Sequence, residues 1–239
     1  MMHPRDICPE IIISALPEDE RGQGNRIKGS LQQLSEYAID FRSAIELLEY
    51  SRCEHALLRE IERKTMPFSR AKERESLTRW QSIAARDGGM TIYHFLRTME
   101  GIRDALHLCP TFHAIIDRRA LGAAIKRFKQ QFPFAERLRH AVAHDADKRE
   151  KPDRFKENPL EGPFLGMGID MDENSSDYII GFFENKFVTM FEGSVVSYEP
   201  SRKSVDVINS VKTEFFDAFR PAEDLTNPNR HLAPWNRDC

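Results

Sequence analysis

The feature that most constrains this chain is a long, uninterrupted spacing of apolar residues at steps of three and four. After Ser30, such steps connect Leu31, Leu34, Ala38, Phe41, Ile45, Leu48, Cys53, Leu57 and Ile61. A strand repeats every two residues, so this spacing specifies one stripe of a long α-helix. Pro67 closes it, because proline disfavours helix in the residue before it. A second pattern runs from about Arg70 to Leu108 and stops before Pro110, with Trp80, Ala84, Phe95, Met99, Ile102 and Leu106 as its apolar stripe. Trp80 is assigned to the core. Two long antiparallel helices joined by a short loop at Thr65-Met-Pro67 follow. Gly88-Gly89 interrupts the second helix. Each glycine costs about 1 kcal/mol in a helix interior, so the pair marks either a kink or the close approach of another element.

A third helix covers Arg118 to Gln131 and breaks at Phe132-Pro133. A fourth begins near Phe134 and fades past Asp147. Beyond Pro152, prolines and glycines mark a loop, followed by Tyr178–Glu184, Phe187–Glu192 and Ser194–Glu199 on short connections. These read as three antiparallel strands. A helix over about Lys203–Phe219 closes the pattern. The fold class is α+β, mainly α: a bundle of about four helices, a three-strand meander and a closing helix. Three strands are marginal alone, so residues 30–220 are read as one composite domain, comprising a bundle (30–150), the meander (178–199) and the last helix (203–219). Proline and glycine content marks residues 1–29 as a loose arm and 221–239 as an unstructured tail.

The 239 residues are 40% hydrophobic and 31% charged, which suits a globular chain. A net charge of −3 excludes a general polycation, but residues 117–156 hold twelve Lys/Arg against six Asp/Glu. A basic stretch in an acidic protein suits either an anion-facing surface or a solvated helix face. Cys8, Cys53, Cys109 and Cys239 form no Cys-x-x-Cys pair, which argues against a zinc ribbon and predicts reduced thiols in a cytoplasm. Ile11–Leu16 is too short for a signal core, and no stretch approaches the ~18–20 apolar residues of a membrane span.

The most chemically suggestive segment is Arg137-Leu-Arg139-His140-Ala-Val-Ala-His144-Asp145. At 100° per residue, Leu138, Ala141 and Val142 share the core side, while Arg137, His140 and His144 fall within about 60° of one another beside it. Arg139 lies about 140° from His144 on the same wheel. An arginine fork can clamp a phosphate, and histidine can exchange a proton with a ribose hydroxyl or a leaving oxygen near neutral pH. A metal-free ribonuclease needs little beyond these two residue types.

The spacing Arg139-His140-Ala-Val-Ala-His144, late in a bundle of long helices, resembles the HEPN superfamily. Its members commonly carry Arg, a polar residue that is usually Asn, three more residues and His. Here His140 stands where Asn is usual, and Arg137 to His144 fits a six-residue version. The resemblance covers about residues 30–150 and does not include the meander. It implies a four-helix bundle, a homodimer with the fourth helix near its interface, and a composite site of two facing motifs. Many members are metal-independent endoribonucleases needing no cofactor; many others are non-catalytic.

The expectation is therefore an RNA-directed protein, catalytic through Arg139, His144, Arg137 and His140, with no resident metal. The alternative is a non-catalytic dimerisation or protein-interaction module on the same fold. A metal-dependent hydrolase built on His140, His144 and Asp145 is a third reading. It lacks an identifiable further ligand; His94, His107 and His113 would serve only if folding brought them near. Asp87, Thr91, His94 and Thr98 follow one another at steps of four, three and four on the second helix. Asp87 and His94 are assigned a supporting role at the site, against the plainer reading of a solvated edge. For the cationic residues the competing reading is a helix C-terminus whose positive charges complement the dipole.

Overall fold

A computed structural model describes residues 7–64, 70–143, 181–183, 185–191 and 194–228. Among these are seven α-helices and one sheet: α1 (Arg21–Lys64), α2 (Ala71–Ala105), α3 (Pro110–Ile115), α4 (Arg118–Gln131), α5 (Ala135–Ala143), β1 (Gly181–Phe183), β2 (Lys186–Phe191), β3 (Ser194–Tyr198), α6 (Arg202–Asp217) and α7 (Arg220–Thr226). The chain is mainly helical with a small antiparallel meander, as its periodicities predict. No strand occurs among the described residues of 30–145. The chain divides into two compact units: residues 1–38, 94–131 and 206–239, and residues 39–93 and 132–205. Helices α1, α2 and α6 contribute to both.

In the first unit, two parts of the sequence reading need correction. Residues 21–29 belong to α1, not to an arm, and Ile11 and Leu16 ahead of them are buried. At Gly24 Leu16 takes the space of a side chain: a Cβ there would lie 2.4 Å from Leu16 Cδ1. Its role is tertiary, to admit Leu16, and not to break a helix. Likewise α7 occupies 220–226, where a tail was expected. Pro221 is tolerated there because it sits in the first turn, where its missing N–H has no helical acceptor. Pro110 plays the same part in α3, so it starts a helix as well as following one. The first turn of α3 is held by Glu20, whose carboxylate accepts from Thr111 N (2.9 Å), Thr111 Oγ1 (3.0 Å) and Cys109 Sγ (3.1 Å). Asp117 Oδ1 accepts from the backbone N–H groups of Arg119 and Ala120 and so caps α4. The core of this unit includes Phe95 stacked on Phe128, at 5.2 Å between centroids.

In the second unit, α1 and α2 run antiparallel. Gln81 Nε2 donates to Ser51 O, and further along α1 the Glu62 carboxylate pairs with Arg74, earlier on α2. The buried side of α1 here is Ser51, Leu58 and Glu62. Leu57 and Ile61, read as core from their spacing, lie about 100° further round the helix and are exposed. Trp80 is also exposed, at 43%. The physical reason is that buried Glu62 and Ser51 have partners of their own, so the inward face of this stretch is part polar. Glu62 Oε1 accepts the N–H of Arg70 just ahead of α2, and Ser51 Oγ donates to Leu48 O.

The meander pairs in sequence order, β1–β2–β3. Phe182 lies opposite Phe187, and Phe187 opposite Tyr198. The three rings make successive edge contacts at 5.9 Å, and Phe41 of α1 continues the row at 6.4 Å from Tyr198. The sheet packs on α5 through β2 and β3. Tyr198 then reaches α2: its buried hydroxyl donates to Ala85 O at 2.5 Å. A Cβ on Gly88 would stand 2.4 Å from that hydroxyl oxygen, and one on Gly89 would meet Tyr198, Leu138 and Val142 at ordinary contact distance. Of the two roles open to this glycine pair, the structure shows close approach.

This notch gives a direct test. Gly88→Ala should destabilise the protein by about 1–3 kcal/mol, the usual cost of forcing atoms into a packed site. Tyr198→Phe alone should cost about 0.5–1.5 kcal/mol for the lost hydrogen bond. Because the clashing atom is the phenol oxygen, the double variant should cost clearly less than the two single losses combined. Strict additivity in urea unfolding would show that the notch is not the source of the loss.

Candidate functional site

Helix α5 starts immediately after Phe132-Pro133 and places its apolar residues inward: Leu138 and Ala141 are fully buried and Val142 nearly so. It runs antiparallel to the part of α2 beneath it, since Arg139 meets Tyr93 while the carbonyl of Val142 accepts from Arg86 Nη2 at 3.4 Å. Leu138 and Val142 of α5 lie over Gly89, at ordinary contact distance from where a Cβ would stand. Arg137 and Arg139 are exposed and His140 is half-buried.

The two arginines differ in how they are held. Arg139 lies with its guanidinium carbon 4.9 Å from the centroid of the Tyr93 ring, and its Nη1 donates to Tyr93 Oη at 3.2 Å. Stacking of this kind fixes the plane of the guanidinium at a small entropic cost and leaves further N–H donors directed elsewhere. Arg137, two residues earlier, projects from a different side of the helix. His144 and Asp145 lie outside the described residues, as does the connection expected at Thr65-Met-Pro67.

Tyr93 was not singled out by the sequence. One signal pointed to it: it follows Gly89 by four residues, so it lies one turn along the row against which another element packs closely.

The polar line on α2 is less uniform than its spacing suggests. Thr91 is buried and returns its hydroxyl to Asp87 O at 2.9 Å, a local bond that fully occupies it as a donor. Within the second unit, Asp87 is exposed as a residue, yet its carboxyl is partly shielded. That desolvation, and then the Asp40 carboxylate, hold its pKa above the usual value. Within the first unit, His94 stacks on Tyr37 with centroids 5.7 Å apart and planes 20° from parallel. Asp87 and His94 thus have different surroundings.

The basic stretch is also narrower than its charge count suggests. Arg127 pairs with Glu214, Lys129 with Glu100, and Arg118 Nη1 with His113 Nε2. Among the described residues, no group of three or more His, Cys, Asp or Glu side chains converges as a metal site would require. No described helix is long and apolar enough to cross a membrane. Compared with family models, characterised proteins and solved structures, the chain matches none.

Asp87 yields a pH prediction. An acid whose folded pKa is raised favours folding only while protonated. Its contribution is full below the unfolded value of about 3.9 and is lost as pH rises through the folded pKa. Asp87→Asn should therefore raise Tm at pH 7, and the gain should close as pH falls toward 4. A gain that is equal at both pH values would rule out the carboxylate charge as its cause.

Proposed function

We propose that this chain is an RNA-directed protein of HEPN-like design, in which the C-terminal part of α5 engages a phosphate and cleaves beside it without a metal. One observation carries the reading: Arg139 is exposed, yet oriented by the face and hydroxyl of Tyr93. An arginine of this kind beside an aromatic ring is suited to single-stranded RNA, whose phosphates take the guanidinium and whose bases stack on flat surfaces. In this reading His144 moves the proton, and Arg139 neutralises the phosphate charge that builds up at cleavage. Arg137, in the first turn of α5, and His140 lie on the same helix, and Asp87 of the same unit is a supporting residue.

Cleavage of structured and unstructured RNAs in EDTA tests this. His144→Ala should lower the rate by ~10²–10⁴-fold, the usual worth of a general acid or base, with the fold intact. Arg139→Lys should lose most of what Arg139→Ala loses, because a point charge replaces neither the fork nor the stack. Activity unchanged in His144→Ala, or no RNA bound or cut by the wild type, would end the ribonuclease reading.

A second reading, a non-catalytic homodimerisation module, has its own support in the second unit. Ile39, Tyr50, Leu57 and Ile61 are exposed and lie within about 40° of one another on α1. Such a row suits a helix-on-helix contact between two copies. The two readings place the interface differently, at α5 or along α1. Leu57→Glu should convert a dimer to a monomer in light scattering if α1 forms the interface; a dimer that persists would exclude α1.

A further inference from the structure

The N-terminal segment of the first unit is held in an unusual way. Residues 7–12 alternate, with Pro9 and Ile11 buried and Ile7, Glu10 and Ile12 exposed, as in an extended strand. Yet among the described residues no strand pairs with them. Their backbone groups are met by side chains. Arg220 Nη2 donates to Ile7 O (2.9 Å), Glu223 Oε1 accepts Glu10 N (2.8 Å), and Thr226 Oγ1 accepts Ile12 N (3.2 Å). From α1, Lys28 Nζ donates to Ile11 O (2.9 Å). The three α7 residues recur at steps of three, so one face of a two-turn helix reads the polar groups of an extended backbone. Glu223 is almost wholly buried and is itself held by Arg220 Nη1 at 2.7 Å. A buried carboxylate paired with a guanidinium and aimed at a backbone N–H is a recognition device for peptide, since it responds to the main chain whatever the side chain.

We infer that α7 and the adjoining part of α1 form a peptide-binding groove whose resident ligand is the chain's own segment 7–16. The backbone contacts accept any extended peptide, and the selective element is the pocket taken by Ile11, with Pro9 beside it. The ligand class is an extended peptide with an apolar residue, any residue, then a β-branched aliphatic residue. The segment is a latch: it occupies the groove in cis and must leave before another peptide of that class can enter.

Ile11→Asp in the full chain tests this, because it weakens the latch and leaves every groove residue unchanged. The probe is a fluorescein-labelled synthetic peptide of residues 7–16, kept reduced. Apparent affinity scales with the fraction of open groove, so the variant should bind the probe at least about tenfold more tightly than the wild type. A probe carrying aspartate at the Ile11 position should not bind. A folded variant that ignores the probe, or that binds both probes equally, overturns the inference. If Ile11→Asp does not fold, hydrogen exchange on the wild type decides. Amides of Glu10 and Ile12 exchanging well before those of 121–128 support a latch that opens by itself; exchange of both together, only on global unfolding, overturns it.

Discussion

Tyr198 reaches helix α2 because Gly88 there lacks a Cβ. The phenol donates to a helical carbonyl from a position that any side chain on Gly88 would fill. Much of the second unit hangs on this contact. The register of the meander places Phe182, Phe187 and Tyr198 in one row, so the sheet ends against α2 rather than in solvent. Beside the same point, α5 approaches Gly89 through Leu138 and Val142. The glycines weaken α2 locally and receive in exchange two tertiary elements at contact distance. Burial also drives the Tyr198 phenol well above its usual pKa, so it stays a donor throughout the range in which the protein is handled.

Helix periodicity was the most legible part of this fold. Residues 118–131 form a helix with the limits that their spacing indicates, and the described strands fall on the three segments expected from the sequence, of which 178–180, 184 and 192 lie outside the described residues. Errors arose where one residue type answers to tertiary contacts. Gly24 resembles a loop glycine but receives Leu16, and Pro221 and Pro110 resemble terminators but occupy first turns. Leu57 and Ile61 continue an apolar spacing yet face outward, because the buried positions beside them are satisfied by hydrogen bonds instead of hydrophobic contact. Spacing alone cannot separate a hydrophobic stripe from its neighbour when the true inner face is part polar.

The site was legible in its residue types and not in its supports. The inward set Leu138, Ala141 and Val142 follows from the helical wheel, and so do the outward arginines. The wheel does not show that Arg139 is fixed, because that depends on Tyr93, 46 residues earlier. Charge counting likewise misses that acidic residues on other helices already occupy two of the cations of α4. Sequence reveals which groups can do chemistry; folding determines which of them are already engaged.

The bond from Glu10 to Glu223 joins residues 213 apart in the chain. A ribosome adding roughly 5–20 residues each second would take on the order of 10–40 s between them. Throughout that interval Ile11 has emerged while the helix that fastens its backbone has not been made. Residues 7–12 of the first unit are therefore secured only after residues 220–226 have been made. Until residues 220–226 are made, the nascent chain carries an aliphatic segment without its fastening, which makes that segment a natural handle for chaperones.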